Sequence, residues 1–355
     1  MTEPSELSAI EARTLIGQKK LSSTELVKSC LKQMKRYNND VNAIVCINED
    51  DVLVQAKNAD DEILKGNKLG LIHGLPVGIK DLQMVKELKS TYGSLLFKDN
   101  IPTTDDTIVQ NIRKEGGIVF CKTNTPEFGA GANTKNKVYG ATGNPFNYAY
   151  TPAGSSGGSA AALALNMVSL ATGSDYGGSL RTPAGFCGVT GFRPSPGMVP
   201  TVESSIILNP FSVFGPMGKD VRDTYLLFQS IIDVNDCDIF SNLNSISFPD
   251  QLTGADLSSV KMAFSSDLGC APVDNNIKKV FLSKINLIKS NFNIADNDHP
   301  DFLNIHDCFE VIRGFNYVAS HLDKVKKSKE LLGPNVVDNV ERGLKFTMED
   351  ITWGH

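Results

Sequence analysis

The sequence predicts an α/β fold: a mixed central β-sheet covered on both faces by helices, in a single domain over residues 1–355. Three observations predict it. Short apolar runs alternate with longer segments of helical periodicity, the pattern of a sheet built with helical crossovers. The alanine-rich run Ala160 to Ala171 suits a helix packed closely against a sheet, and with Asn166 and Ser169 inside it is too short to span a bilayer. A length of 355 residues with 41% hydrophobic content supplies a sizeable core, and no internal repeat or long low-complexity linker divides it.

Taken in order, helices are expected over Glu6 to Lys19 and Ser22 to Tyr37, the second opened by the capping-box pair Ser22 and Glu25. Val41 to Ile47 reads as a strand, Asp50 to Leu64 and Asp106 to Glu115 as helices, and Gly117 to Cys121 as a buried strand. Thr125-Pro126-Glu127 reads as the start of a short helix with proline in its first turn, and Asn144-Pro145 as a turn. Gly157 to Asn166 is predicted helical, Val168 to Thr172 a strand, Val221 to Ile232 a helix, Val260 to Phe264 a strand and Asp274 to Lys289 a long amphipathic helix. Asp233 to Thr253 is the most loop-like interval, and beyond Pro300 the pattern is helical, over Ile305 to Leu332 and Val336 to Met348.

The chemistry concentrates in two serine-glycine runs, Ala153 to Ala160 and Gly173 to Arg181. One such cluster reads best as a tight turn. Glycines beside a reactive serine, however, let backbone N–H groups approach a substrate oxygen, as an oxyanion hole requires. A lysine adds to the pattern: Lys80 follows the apolar stretch Leu75-Pro76-Val77-Gly78-Ile79, which carries it toward the interior. Burial disfavours an ammonium, so such a lysine can serve as a neutral base near pH 7.

These segments resemble the amidase signature hydrolases. The resemblance rests on Gly74 to Asp81, Lys122 to Phe128, Gly143 to Asn147, Pro152 to Ala164, Gly173 to Gly191 and Gly215-Pro216-Met217, and covers the chain to about Val221. It implies the amidase signature fold and a catalytic triad of Lys80, Ser155 in a cis peptide linkage and the nucleophile Ser179. It implies further that Tyr176, Gly177, Gly178 and Ser179 present backbone N–H groups to the oxyanion. Ser156, Asp175 and Arg181 have supporting places, with a structural reading favoured for all three: Asp175 and Arg181 hold the nucleophile loop and Ser156 bonds locally. The implied reaction hydrolyses a carboxylic amide through a Ser179 acyl-enzyme, with no cofactor and no metal.

Rival motifs are weaker. Gly154-Ser155-Ser156-Gly157-Gly158 fits the G-x-S-x-G nucleophile elbow with Ser156 as nucleophile, but the preceding Asn144 to Pro152 stretch is turn-rich where a buried strand is needed. The histidine partners that motif demands, among His299, His306, His321 and His355, are candidates by order only. Ser258-Ser259-Val260-Lys261 matches S-x-x-K without its companion motifs. No phosphate loop, H-E-x-x-H or paired C-x-x-C is present.

A net charge of −5 with no long basic run argues against a nucleic-acid surface, and the lysines at 324, 326, 327 and 329 read as a solvated helix face. Seven scattered cysteines make a disulfide framework unexpected, and Met1 to Glu6 lacks a signal-peptide pattern, which points to the cytoplasm. Cys187, near the second serine run, reads as a small packing residue. The expected partner is a small-molecule amide; no membrane or nucleic acid is expected, and a homodimer is compatible.

Three departures from the family pattern stand out: Ala153 in place of a glycine, Ser174 in place of a threonine, and Tyr176 where a smaller residue is usual. The chain also stops at Trp353-Gly354-His355, ahead of the usual end of this fold, so the reading expects the usual C-terminal portion to be lacking. Three functions follow. A stand-alone amidase is favoured; the alternatives are the glutaminase (A) subunit of a tRNA-dependent amidotransferase and a truncated, non-catalytic binding or regulatory protein. Lys86 to Pro102 and Pro200 to Phe214 are expected to wall the substrate pocket.

Overall fold

A computed structural model describes residues 3–202, 206, 208–241 and 248–355. Its contacts group the chain, read from the sequence as one domain, into two compact units: residues 1–247 with 317–341, and residues 248–316 with 342–355.

The first unit opens with α1 (Ala9–Gly17) and α2 (Ser23–Val41). Ser8 and Glu11 form a capping box that starts α1 three residues after the predicted boundary, and Ser22 with Glu25 caps α2 as predicted. Strand β1 (Ile44–Cys46) is shorter than expected because Val41 completes α2 and Asn42 closes it in the left-handed region. Next come α3 (Glu49–Leu64), β2 (Pro76–Lys80), α4 (Thr107–Lys114), β3 (Ile118–Thr123), the hairpin of β4 (Lys135–Asn136) and β5 (Gly140–Ala141), and α5 (Gly157–Ala164). Then follow β6 (Leu170–Asp175), α6 (Arg181–Cys187), β7 (Thr190–Gly191), β8 (Val213–Gly218) and α7 (Val221–Ile231).

Among the described residues the main sheet has six strands in the order β1-β3-β2-β6-β8-β7. Its centre is parallel, β2 pairing with β3 and β6, while β1, β8 and β7 run antiparallel to their neighbours. The sheet is therefore mixed, as predicted. Every residue of β2, β3 and β6 is buried, which requires cover on both faces. Predicting β6 to end at Thr172 proves too short: the strand runs on through Gly173 and Ser174 to Asp175. This extension places the second serine-glycine run directly at the strand's carboxyl end.

The second unit holds a parallel pair, β9 (Lys261–Phe264) and β10 (Ile294–Asn297), joined through α8 (Asn275–Ile288). Helix α9 (Ile305–Ser328) contributes residues to both units. The single helix expected over Val336 to Met348 is instead two, α10 (Pro334–Gly343) and α11 (Met348–Gly354), the latter opened by a Thr347 and Asp350 capping box. Of the loop-like interval 233–253, residues 242–247 lie outside those described. No helix among the described residues is long and apolar enough to cross a membrane.

Candidate active site

Lys80 is the last residue of β2 and has no solvent-exposed surface. Its Nζ lies 2.6 Å from Ser155 Oγ, 2.8 Å from Ser156 Oγ and 2.9 Å from Ser174 Oγ. A hydroxyl can donate as well as accept, so three of them suit a neutral amine, which offers two N–H donors and one lone pair. Burial drives the Lys80 pKa well below 10.5, and the charge of Asp175 only partly opposes it. Helix α5 adds to this bias, because its positive N-terminal end begins two residues after Ser155.

The two serines just ahead of α5 have different tasks. Ser156 stands at the N-cap of α5 without capping it, because its oxygen is turned to Lys80 and accepts the Ser174 N–H at 3.3 Å. Its own proton points to the Ser174 carbonyl at 3.4 Å. Fully buried and so engaged, Ser156 is not placed as an exposed nucleophile elbow. Ser155 Oγ, among the described residues, meets no hydrogen-bond partner except Lys80. The Gly154–Ser155 peptide is cis.

Ser174, one of the three departures from the family pattern, is a direct neighbour of the Lys80 amine. Alternation along β6 supplies the missing signal: Thr172 and Ser174 share one face, where Thr172 Oγ1 accepts the Lys80 backbone N–H at 3.0 Å and Ser174 meets its amine. A Cβ added to Gly173 between them would come within 2.4 Å of Leu180 Cδ2 and 2.9 Å of Ser156 Oγ, so a larger residue there would have to displace those side chains.

Ser179 is brought to the same place by backbone, its carbonyl accepting the Ser156 N–H at 3.2 Å. The residue is half-buried, and its hydroxyl has no hydrogen-bond partner among the described residues. The loop that carries it hangs on Asp175. That carboxylate accepts the Gly178 N–H at 2.8 Å and the Leu180 N–H at 3.1 Å, and is held bidentately by Arg181 at 3.0 Å from both Nε and NH2. Arg193, which the sequence reading did not single out, donates to the Asp175 carbonyl and approaches its carboxylate at 3.3 Å.

Of the four N–H groups expected at the oxyanion, that of Gly178 is thus already given to Asp175. Gly178 has φ +110°, a conformation that glycine adopts freely and that aims its N–H at the carboxylate. The N–H groups of Gly177 and Ser179 have no protein acceptor among the described residues.

Burial alone would raise the Asp175 pKa, but Arg181 and the Gly178 and Leu180 N–H groups outweigh it and hold the carboxyl at about 2. A depressed carboxyl contributes stability that is complete above the usual 3.8 and lost as pH falls through about 2. The contribution is on the order of 1–2 kcal/mol after screening of the half-exposed Arg181. Asp175→Asn is expected to lower the melting temperature at pH 7 while losing part of the wild type's decline between pH 4 and 2, which thermal melts across that range will check.

On the far side of Ser155 runs the turn that follows Pro126, a short 3₁₀ segment from Glu127 to Gly129. An added Cβ on Gly129 would lie 3.5 Å from Ser155 Oγ. Glu127 fixes the turn, accepting the Ser94 hydroxyl at 2.6 Å and the Gly333 N–H at 2.5 Å, and Asn335 Nδ2 donates to the Ala130 carbonyl at 2.9 Å. Phe128 stacks on Tyr92 at 6.2 Å, so part of the predicted wall at Lys86 to Pro102 stands beside this turn. Of the other predicted wall, Glu203, Ser204, Ser205 and Ile207 lie outside the described residues. Cys187 is buried, and burial lifts its thiol to about 12, which leaves an inert packing residue.

Comparison with known proteins places these features in a family. The chain is 34% identical over 284 residues to the A subunit of glutamyl-tRNA(Gln) amidotransferase from Clostridium botulinum strain Eklund 17B, covering 80% of this chain and 58% of that protein. The corresponding protein of Endomicrobium trichonymphae is 35% identical over 300 residues, covering 82% and 61%. The chain therefore spans about three-fifths of the length of these curated relatives. Among solved structures, a bacterial aryl acylamidase of the amidase signature family superposes with a TM-score of 0.86 at 24% identity, over 98% of this chain and 74% of that one. Another, described as an amidase, gives 0.82 at 25% identity, over 98% and 76%. The Amidase family pattern itself matches residues 25–347, and the chain belongs to the amidase signature family.

Proposed function

We propose that this protein hydrolyses a carboxylic amide to a carboxylate and ammonia or an amine, with Ser179 as nucleophile and Lys80 as general base acting through Ser155. The observation that carries the reading is the wholly buried Lys80 amine in contact with three serine hydroxyls and, among the described residues, no carboxylate. Neutral Lys80 takes the Ser155 proton as Ser155 takes that of Ser179, and Ser179 Oγ attacks the amide carbonyl. The oxyanion is met by N–H groups of the loop from Tyr176 to Ser179, those of Gly177 and Ser179 having no protein acceptor among the described residues, while Gly178 serves by holding the loop to Asp175. Each such donor in a comparable hydrolase is worth about 3–4 kcal/mol. Ser155 then returns the proton to the leaving nitrogen, the C–N bond breaks, and water cleaves the acyl-enzyme by the same relay. The seven unpaired cysteines support a reducing, cytoplasmic setting.

Stoichiometric labelling by a fluorophosphonate, read as intact mass on cooperatively melting protein, tests the reading. One adduct on Ser179 supports it, and a folded protein that takes none overturns it.

A second reading is favoured by one observation, the 34–35% identity to proteins named as the A subunit of glutamyl-tRNA(Gln) amidotransferase. In this form the amide is glutamine and the ammonia passes to a partner protein. Ammonia release from free glutamine that depends on added partner proteins supports it; hydrolysis of simple amides by the chain alone favours the first.

A further inference from the structure

A second lysine is buried as deeply as the first. Lys122 sits on β3 opposite Ile79 of β2, one register position from the pair Lys80 and Thr123, and has no exposed surface. Its surroundings differ in kind. The ammonium donates to the Gln83 carbonyl and, at 3.0 Å, to Ser90 Oγ, and lies 3.5 Å from Asp81 Oδ1, itself buried. Three donors meet a carbonyl, a hydroxyl and a carboxylate, which is the environment of a charged lysine and not of a base.

The residues it gathers belong to the segment that leaves the site. Asp81 directly follows Lys80 and accepts the Thr91 hydroxyl at 2.6 Å and the Thr91 N–H at 3.0 Å. Gln83 has its N–H on the Lys80 carbonyl at 3.0 Å. Its side chain crosses to β6, accepting from Thr172 Oγ1 at 2.5 Å and donating to the Gly173 carbonyl at 3.4 Å. Thr172 Oγ1 in turn accepts the Lys80 backbone N–H. A closed ring of contacts thus runs from Lys122 through Gln83 and Thr172 to the backbone of Lys80.

A buried ion pair is a poor source of net stability, since desolvation of two charges offsets most of their attraction. What this one does is fix direction: it anchors the chain on the carboxyl side of Lys80, while Thr172 anchors the Lys80 N–H. We propose that Lys122 is a positioning residue for Lys80, its ion pair with Asp81 and its hold on Gln83 setting where the Lys80 amine meets Ser155. This rests on the amidase reading.

The test is a cycle between Asp81→Asn/Lys122→Met, which removes both charges together, and Gln83→Leu, which cuts only the side-chain link to β6. The rate of fluorophosphonate labelling at Ser179 and the melting temperature are measured for each and for the combination. Each change is expected to slow labelling about tenfold or more, and the combination to be slower than the worse one by no more than about threefold, because both break one ring. Rate losses are expected not to track the losses in melting temperature across the variants, which separates positioning from plain destabilisation. Labelling within twofold of wild type in the charge-free pair, or rate losses that multiply, overturn the proposal. Should that pair not fold, Gln83→Leu decides alone, a rate within twofold of wild type being the contrary result. Wild type that takes no label ends the amidase reading and this role with it, whereas labelled wild type with unaffected variants ends the positioning role only.

Discussion

Ser179→Ala is expected to abolish turnover and fluorophosphonate labelling while leaving the fold intact. Loss of the nucleophile from a comparable hydrolase lowers kcat on the order of 10⁶-fold, because the remaining groups have no covalent route to stabilise. The stability side of the expectation comes from the site itself. The Ser179 hydroxyl has no hydrogen-bond partner among the described residues and is half-buried, so its removal orphans nothing. The loop stays tied through the Gly178 and Leu180 N–H groups to Asp175, and a melt within about 0.5 kcal/mol of wild type should result. Intact mass and a thermal melt on the same preparation check both halves. A labelled or active Ser179→Ala protein would sink the assignment of the nucleophile.

Lys80→Met is expected to slow acylation by about 10²–10⁴-fold, the range a positioned general base contributes. It carries a second signature that no substrate is needed to read. Burial holds the folded Lys80 well below 10.5, so over the interval from that folded value to 10.5 the unfolded chain binds a proton the folded chain does not. Stability then rises with pH across the interval, is complete above 10.5, and is lost as pH falls through the folded value. Lys122 and Lys219, also lowered by burial, contribute slopes of the same sign. Buried thiols at Cys30, Cys121 and Cys187, raised by burial, contribute slopes of the opposite sign above about pH 9 in both proteins, so it is the difference between the two curves that isolates Lys80. Identical slopes from neutral pH to pH 10.5 would mean that Lys80 is charged in the folded protein and is no base.

The segments that carry the site were legible in the sequence because chemistry at close quarters restricts residue type. Leu75 to Ile79 announces burial of the lysine that follows, and the two serine-glycine runs announce close backbone approach, which Gly158 illustrates, since an added Cβ there would lie 2.3 Å from the Asn124 backbone nitrogen. The capping box locates the start of α2, whose end lies four residues beyond the expected Tyr37, and the same spacing of Ser8 with Glu11 and of Thr347 with Asp350 marks the starts of α1 and α11. Less legible was whatever depends on pairing across the sheet. Strand β8 contains Pro216, which local propensity counts against a strand, and β6 supports it through the register Thr172 to Pro216. Ser174, Arg193, Gln83 and Lys122 were missed for a related reason: each acts through a partner 18 to 94 residues away. Nothing in the local pattern marks a lysine whose carboxylate lies just past the end of the neighbouring strand.

The enclosure of Lys80 also bears on which bond the proposed mechanism can break repeatedly. A base with no face to water has one outlet for the proton it takes during acylation, back through Ser155. A departing amine carries that proton away and leaves the lysine ready for the water step. A phenolate or other leaving group that departs without a proton leaves the ammonium to pass its proton through Ser155 to the incoming water, an added step before the base can act again. Burial of the base thus gives nitrogen leaving groups the shortest proton cycle, before any pocket has recognised a substrate.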